Sequence, residues 1–173
     1  MDFRLSDAVL LLSRTPEVLR SLLAGLPDGW LNANEGGETW SPTQVVAHLS
    51  MADRTNWLPR TKALRAGEPF PPLDRFAHLN TGEVQGIAAL LDEFATIRAA
   101  SLAGLRALDL SPTDLQRQGQ HPEFGPVTLA QLLSTWVVHD QDHLVQISRT
   151  LAGNYRGAVG PWAAYLSVLR KRT

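Results

Sequence analysis

Apolar positions recur at three- and four-residue steps along almost the whole chain, the spacing that gathers side chains on one face of an α-helix. Leu5, Val9 and Leu12 open a first segment, and Val18, Leu19, Leu22, Leu23 and Leu26 continue it. Pro16 lies between them behind Thr15, and proline is accepted at a first helical position after a threonine cap. The segment is therefore two helices or one kinked helix. Leu26-Pro27-Asp28-Gly29 ends it. A second helix opens at Ser41, with Pro42 first and Gln44 third, the residues of a capping box; Trp40 ahead of the cap can pack on Val45. Val46, Leu49 and Ala52 follow, Trp57 extends the stripe toward Pro59, and Gly67 to Leu73 is a connector. A third helix is expected from about Gly82 to Leu108, on Ile87, Leu90, Leu91, Phe94, Ile97, Leu102, Leu105 and Leu108.

Residues 109–127 hold a Ser-Pro step, Gly119 and His121-Pro122-Glu123-Phe124-Gly125-Pro126, so that stretch reads as turns. The fourth helix repeats the start signal of the second: Thr128 caps, Gln131 is third, and Val127 can staple to Leu132. It runs through Leu133, Trp136, Val137, Leu144 and Ile147 to a stop at Gly153-Asn154. A last helix is expected at roughly Trp162 to Arg170. No alternating strand pattern of useful length and no internal repeat is visible. Four long amphipathic segments predict an all-α four-helix bundle with an additional short C-terminal helix.

The 173 residues fit one domain, 1–173, able to bury a core without disulfides. Sixteen basic and seventeen acidic residues leave a net charge of −1, which argues against a broad electrostatic grip on nucleic acid. Arg170-Lys171-Arg172 is the one basic cluster and reads as a solvated tail. The absence of cysteine removes disulfides, thiolate nucleophiles, thiolate zinc sites and iron–sulfur clusters together. The first apolar run, Ala8 to Leu12, follows two aspartates and is short for a signal peptide. No run reaches about 18 apolar residues. Neither export nor a membrane span is expected, and a cytoplasmic location is.

His139-Asp140-Gln141-Asp142-His143 sets two imidazoles four residues apart on the fourth helix, within about 40° of each other around the axis. That spacing lets two ring nitrogens converge on one ion, and His48, mid-helix beside Val45 and Leu49, is the natural third. Three neutral histidines would leave open coordination positions, the layout of a catalytic site, where a bound water or thiol is held as its anion. The same spacing also fits two surface histidines, and His48 alone fits a hydrogen-bonded core residue. Val137, Val138 and Leu144 favour burial of part of this face.

Trp40-Ser41-Pro42 with Val45, Val46, Ala47-His48-Leu49 and Asp53 resembles the first histidine motif of the DinB-like (YfiT-like) metalloenzyme superfamily, which is distinct from the DNA polymerase sharing that name. His121 to Leu129, His139 to Leu144 and Gln146-Ile147 resemble the second motif of its DinB_2 branch. Gly160-Pro161-Trp162 and Tyr165-Leu166 resemble that branch's ending. The resemblance runs from about Leu12 to the C-terminus. It implies an up-down-down-up bundle carrying a divalent metal, zinc or nickel, on His48, His139 and His143, often in a homodimer. The activities known in the family include bacillithiol S-transferases and mycothiol-dependent isomerases, so a low-molecular-weight thiol is an implied cofactor. Asp142 stands where relatives often carry another histidine.

Around these three, Gln146 shares the face of His139 and fits a pocket wall or a core hydrogen bond. Asp140 and Asp142 fit either a carboxylate orienting a ligating imidazole or a solvated outer face. Trp57 and Trp136 are candidates to wall a pocket, while His78 and His121, in turn-rich stretches, read as surface residues. Arg54, Arg60 and Arg149 are available to an acidic substrate, with nothing to choose among them. The leading expectation is a metal-dependent thiol S-transferase acting on a small electrophile. The alternatives are a metal-dependent hydrolase, for which no carboxylate stands on the histidine face, and a non-enzymatic metal- or ligand-binding stress protein.

Overall fold

A computed structural model describes residues 2–74, 76–80 and 86–170. The expected helix start near Gly82 and the basic Lys171-Arg172 end lie outside the described residues. Helix α1 (Leu5–Leu23) passes through Pro16 as one helix. The ring leaves the carbonyl of Leu12, four residues back, without its helical donor. Arg98 supplies one instead, its Nη1 donating to Leu12 O at 2.9 Å. A short helix α2 (Asp28–Leu31) leads into α3 (Pro42–Ala52). The capping box forms as predicted: Ser41 Oγ accepts from the Gln44 N–H, and the Ser41 N–H donates to Gln44 Oε1. A π turn at Asp53–Trp57 joins α3 to α4 (Leu58–Ala66), so the chain stays helical past Pro59. Helix α5 (Ile87–Ala107), a short α6 (Pro112–Leu115) and the long α7 (Leu129–Gly153) follow, α7 behind a Thr128–Gln131 capping box.

Two expectations are corrected. The segment read as turns carries an antiparallel hairpin, β1 (Gln118–His121) and β2 (Gly125–Thr128), paired Gln118 with Thr128 through His121 with Gly125. Strands of four residues rich in Gln and Gly show no apolar alternation, so the pattern could not announce them. Their turn is built locally: His121 Nδ1 accepts from the N–H groups of Glu123 and Phe124, and Gly125 takes φ 72°. Gly119 lets the hairpin lie on α4, since a Cβ there would stand 3.0 Å from Leu64 Cγ. The expected C-terminal helix is instead a pair of 3₁₀ turns, Gly160–Tyr165 and Ser167–Leu169, separated by an extended Leu166. Among its residues Leu169 is buried, while Trp162 and Tyr165 are exposed, too little apolar face to hold a full helix.

The α3–α4 run packs on α5 and α7, and so does α1. One apolar cluster joins Leu12 to the C-terminal halves of the α3–α4 run and α5 and to Leu129, Leu133 and Trp136 of α7. The other joins Leu19 and Leu23 to Val45, Leu49, Leu91, Phe94 and Ile147. At that second end α1 and α7 finish while α3 and α5 begin, which makes the topology up-down-down-up. Between the clusters lies a buried polar layer with one residue from each helical column: Thr15, Asp53, Arg98 and Asp140. Among the described residues no helix is long and apolar enough to cross a membrane.

Candidate metal centre

Helix α3 presents His48 and α7 presents His139 and His143, and the two helices pack together. His139 Nε2 stands 3.1 Å from His48 Nε2 and 3.2 Å from His143 Nε2. One ligand atom from each ring lies within 4.8 Å of the others. Two nitrogens bound to one ion at about 2.0–2.1 Å, at angles between a right angle and tetrahedral, stand about 2.8–3.4 Å apart, which these separations match. The proton inventory points the same way. His143 Nδ1 donates to Gln146 Oε1 at 2.9 Å, which leaves its Nε2 as a lone pair. His139 Nε2 meets two neighbours, and one proton serves only one of them well. A cation at the meeting point serves all three, so the donor set fits a divalent metal.

Burial, then the neighbouring His143, His48 and Arg98, push the His139 imidazole down to about 3. Burial also lowers His143, against the hydrogen bond it donates to Gln146, which raises it. Both rings are thus held neutral, the form that ligates. Trp40 lies parallel to His143 with centroids 6.0 Å apart, and tilted on His48 at 4.6 Å.

The surrounding assignments change in several places. His78 is not a surface residue: it is buried, its ring 4.4 Å from Trp40 and 4.9 Å from His48. Its turn is held against α3, a contact that leaves no trace in local sequence. His121 is half-buried on the hairpin, stacked on Phe124 and lining the cavity described below. Trp57 and Trp136 do not line that cavity; Trp57 sets its edge on His139 from behind, at 5.1 Å, and Trp136 stacks on Trp57. Trp40 takes the wall position instead. Gln146 also lies off the cavity and holds the second nitrogen of His143, the role considered for the aspartates. Asp142 is exposed. Asp140 is neither solvated nor bonded to an imidazole.

Asp140 belongs to the polar layer, which sequence reasoning missed through Arg98. The Arg98 guanidinium bonds Asp53 through Nε (2.6 Å) and Nη2 (3.0 Å), and Asp140 through Nη1 (2.5 Å) and Nη2 (3.1 Å). Thr15 Oγ1 donates to Asp140 Oδ2, and Trp136 Nε1 donates to Asp53 Oδ1. Burial raises the Asp53 carboxyl to about 6 against the pull of Arg98. Burial alone would lower the guanidinium; Asp140 and Asp53 outweigh it and hold Arg98 protonated. A signal existed: Phe94, Arg98 and Leu102 follow at four-residue steps, a charge in an apolar stripe.

The three histidines open onto a cavity of about 890 Å³, large enough for a metabolite-sized ligand. Its walls are largely aromatic, with Trp40, Phe70, Phe76 and Phe124, and polar at Asn56 and Arg60. Arg54 pairs with Glu93, and Arg149 with Glu35 at 3.0 Å; neither lines the cavity.

"Putative metal-dependent hydrolase OB0782" of Oceanobacillus iheyensis is 28% identical over 137 residues, 77% of each chain. The fold is shared with YfiT from Bacillus subtilis, described as "a probable metal-dependent hydrolase with an unusual four-helix bundle topology". That structure matches with a TM-score of 0.73 at 20% identity, over 88% of this chain and 87% of that one. TT2238, "a four-helix bundle protein", matches with a TM-score of 0.52 at 22% identity, over 80% of this chain and 94% of that one. The model of the DinB superfamily matches residues 11–147, which include all three histidines and the whole polar layer, and the chain belongs to that superfamily.

Proposed function

We propose that the protein is a divalent-metal-dependent enzyme in which His48, His139 and His143 hold the metal at the floor of the cavity and a small molecule reacts there. The observation that carries this reading is the convergence of three Nε2 atoms from two helices, at 3.1 and 3.2 Å. A divalent ion, zinc or nickel, supplies the Lewis acidity that turns a water or a thiol into its anion near neutral pH. The chain's own part is to keep the rings neutral by burial, fix His143 through Gln146, and wall the site with Trp40 and the phenylalanines.

The finer reading is a transferase using a low-molecular-weight thiol. Asp53 and Asp140, the acids buried nearest the histidines in sequence, are both engaged by Arg98, so neither is available as a general base for water. A hydrolase is the second reading, favoured by the names of the relatives and by Glu123, an acidic residue that lines the cavity from the hairpin turn. A cytoplasmic homodimer, and a single domain over residues 1–173, complete the proposal. The test is elemental analysis of protein purified without an affinity tag. Wild type is expected to carry close to one divalent ion per chain, and His143→Ala to lose most of it. Metal-free wild type that melts like the variant would end the enzyme reading. In cobalt-loaded protein, a sulfur-to-cobalt absorption band on adding bacillithiol, mycothiol or glutathione selects the transferase; its absence selects the hydrolase or a binding protein.

A further inference from the structure

His48, Ala52, Asn56 and Arg60 succeed one another at four-residue steps, and all four line the cavity. In an unbroken α-helix each such step overshoots a full circle by about 40°, so the row would wind off one face. The π turn at Asp53–Trp57 bonds i to i+5 and takes about one extra residue per turn, which returns the row to the cavity side. It places a guanidinium and a carboxamide on the wall that begins at His48.

Both groups are buried, Arg60 at 9% exposure and Asn56 at 7%. The Arg60 guanidinium lies over the Phe70 ring at 5.2 Å. Asn56 Oδ1 has no hydrogen-bond partner among the described residues, although an unmet buried acceptor is costly. Of the three arginines that the sequence offers to an acidic substrate, only Arg60 lines the cavity. A guanidinium fork matches the two oxygens of a carboxylate, and the adjoining carboxamide offers a donor to it and an acceptor to a neighbouring ligand N–H or O–H. Arg60 stands three turns beyond His48, so the histidines and this pair occupy opposite ends of one wall.

We propose that Arg60 and Asn56 form a carboxylate-binding subsite, and that the substrate is a small, elongated, largely apolar carboxylate whose reacting end lies at the histidines. The reacting end rests on the metal reading above; the carboxylate end does not need the metal. Glu123, exposed at the hairpin turn, is the opposing charge on the cavity.

The experiment is calorimetric titration of chelator-treated full-length protein with 3-phenylpropionate and with its neutral counterpart 3-phenylpropan-1-ol. Wild type is expected to bind the acid at least about tenfold more tightly, the discrimination of a charged hydrogen bond. Arg60→Gln and Asn56→Asp are expected to lose that preference, and Arg60→Lys to keep part of it. Glu123→Gln is expected to bind the acid more tightly. Equal affinities in wild type, or a preference that survives Asn56→Asp, would overturn the subsite; so would a preference lost in Glu123→Gln, which would place it on the hairpin. The wild-type comparison and Asn56→Asp remain decisive if Arg60→Gln does not fold. Zinc loading of the same wild-type protein is measured separately. Loading without acid preference removes the subsite alone, and acid preference without loading removes the metal reading alone.

Discussion

Arg98 shows how one side chain can organise a molecule of this size. Its guanidinium is almost wholly buried and holds two carboxylates from two other helices, and it also takes the Leu12 carbonyl that Pro16 leaves without a donor. Such a group is costly to bury, and its pairing recovers that cost only while the set is complete. Arg98→Met removes the cation and strands Asp53 and Asp140. The expected loss is about 3–5 kcal/mol of unfolding free energy, measured by urea denaturation. Adding Asp53→Asn and Asp140→Asn to the same chain should recover part of it. A single variant as stable as wild type would show that the layer contributes nothing to the fold. Because Trp136 links Asp53 to Trp57, and Trp57 meets His139, the layer also backs the three-histidine cluster.

The elements divide into those announced locally and those imposed by contact. The Ser41–Gln44 and Thr128–Gln131 boxes start the two helices that carry the histidines, so their chemistry sets the register of the site. Ser41→Ala is expected to cost about 1 kcal/mol, read as a lower urea midpoint with an unchanged slope. A changed slope would mean that α3 unravels in the native state. The hairpin and the π turn had no such signals. The hairpin is held by side-chain bonds in its turn and by the lodging of Gly119 on Leu64, and the π turn shifts the row that carries Asn56 and Arg60 toward the cavity side. Both elements border the cavity, whereas the helices that carry the histidines were announced by their caps.

For the molecule as a whole, pH dependence follows from what is buried neutral. The unfolded chain protonates His139 and His143 below 6.5, whereas the folded chain resists, His139 down to about 3. Their stability contribution is complete above about pH 6.5 and is lost as pH falls. Asp53 acts oppositely: raised from 3.8 to about 6, it lets the folded state take up a proton earlier and gains stability as pH falls through that range. Two histidines act against one aspartate, so metal-free protein is expected to lose stability as pH falls from about 6 to about 5, followed by urea unfolding with a chelator present. A flat profile would mean that the rings are not buried neutral. With metal bound, the same acidification is expected to release the ion as the imidazoles take up protons.

The sequence by itself determined the four long helical segments, the capping boxes of the second and fourth, and the i, i+4 histidine pair, because helical periodicity, capping boxes and that pair are relations between residues only a few positions apart. Tertiary structure alone decided that Asp140 faces Arg98 instead of water, that His78 is buried on Trp40, and that Trp40 rather than Trp57 walls the cavity. It also decided which arginine reaches the ligand space. Each of these depends on how far one helix is turned toward another, and that rotation is set by packing across the core, where the partners stand dozens of residues apart in the chain.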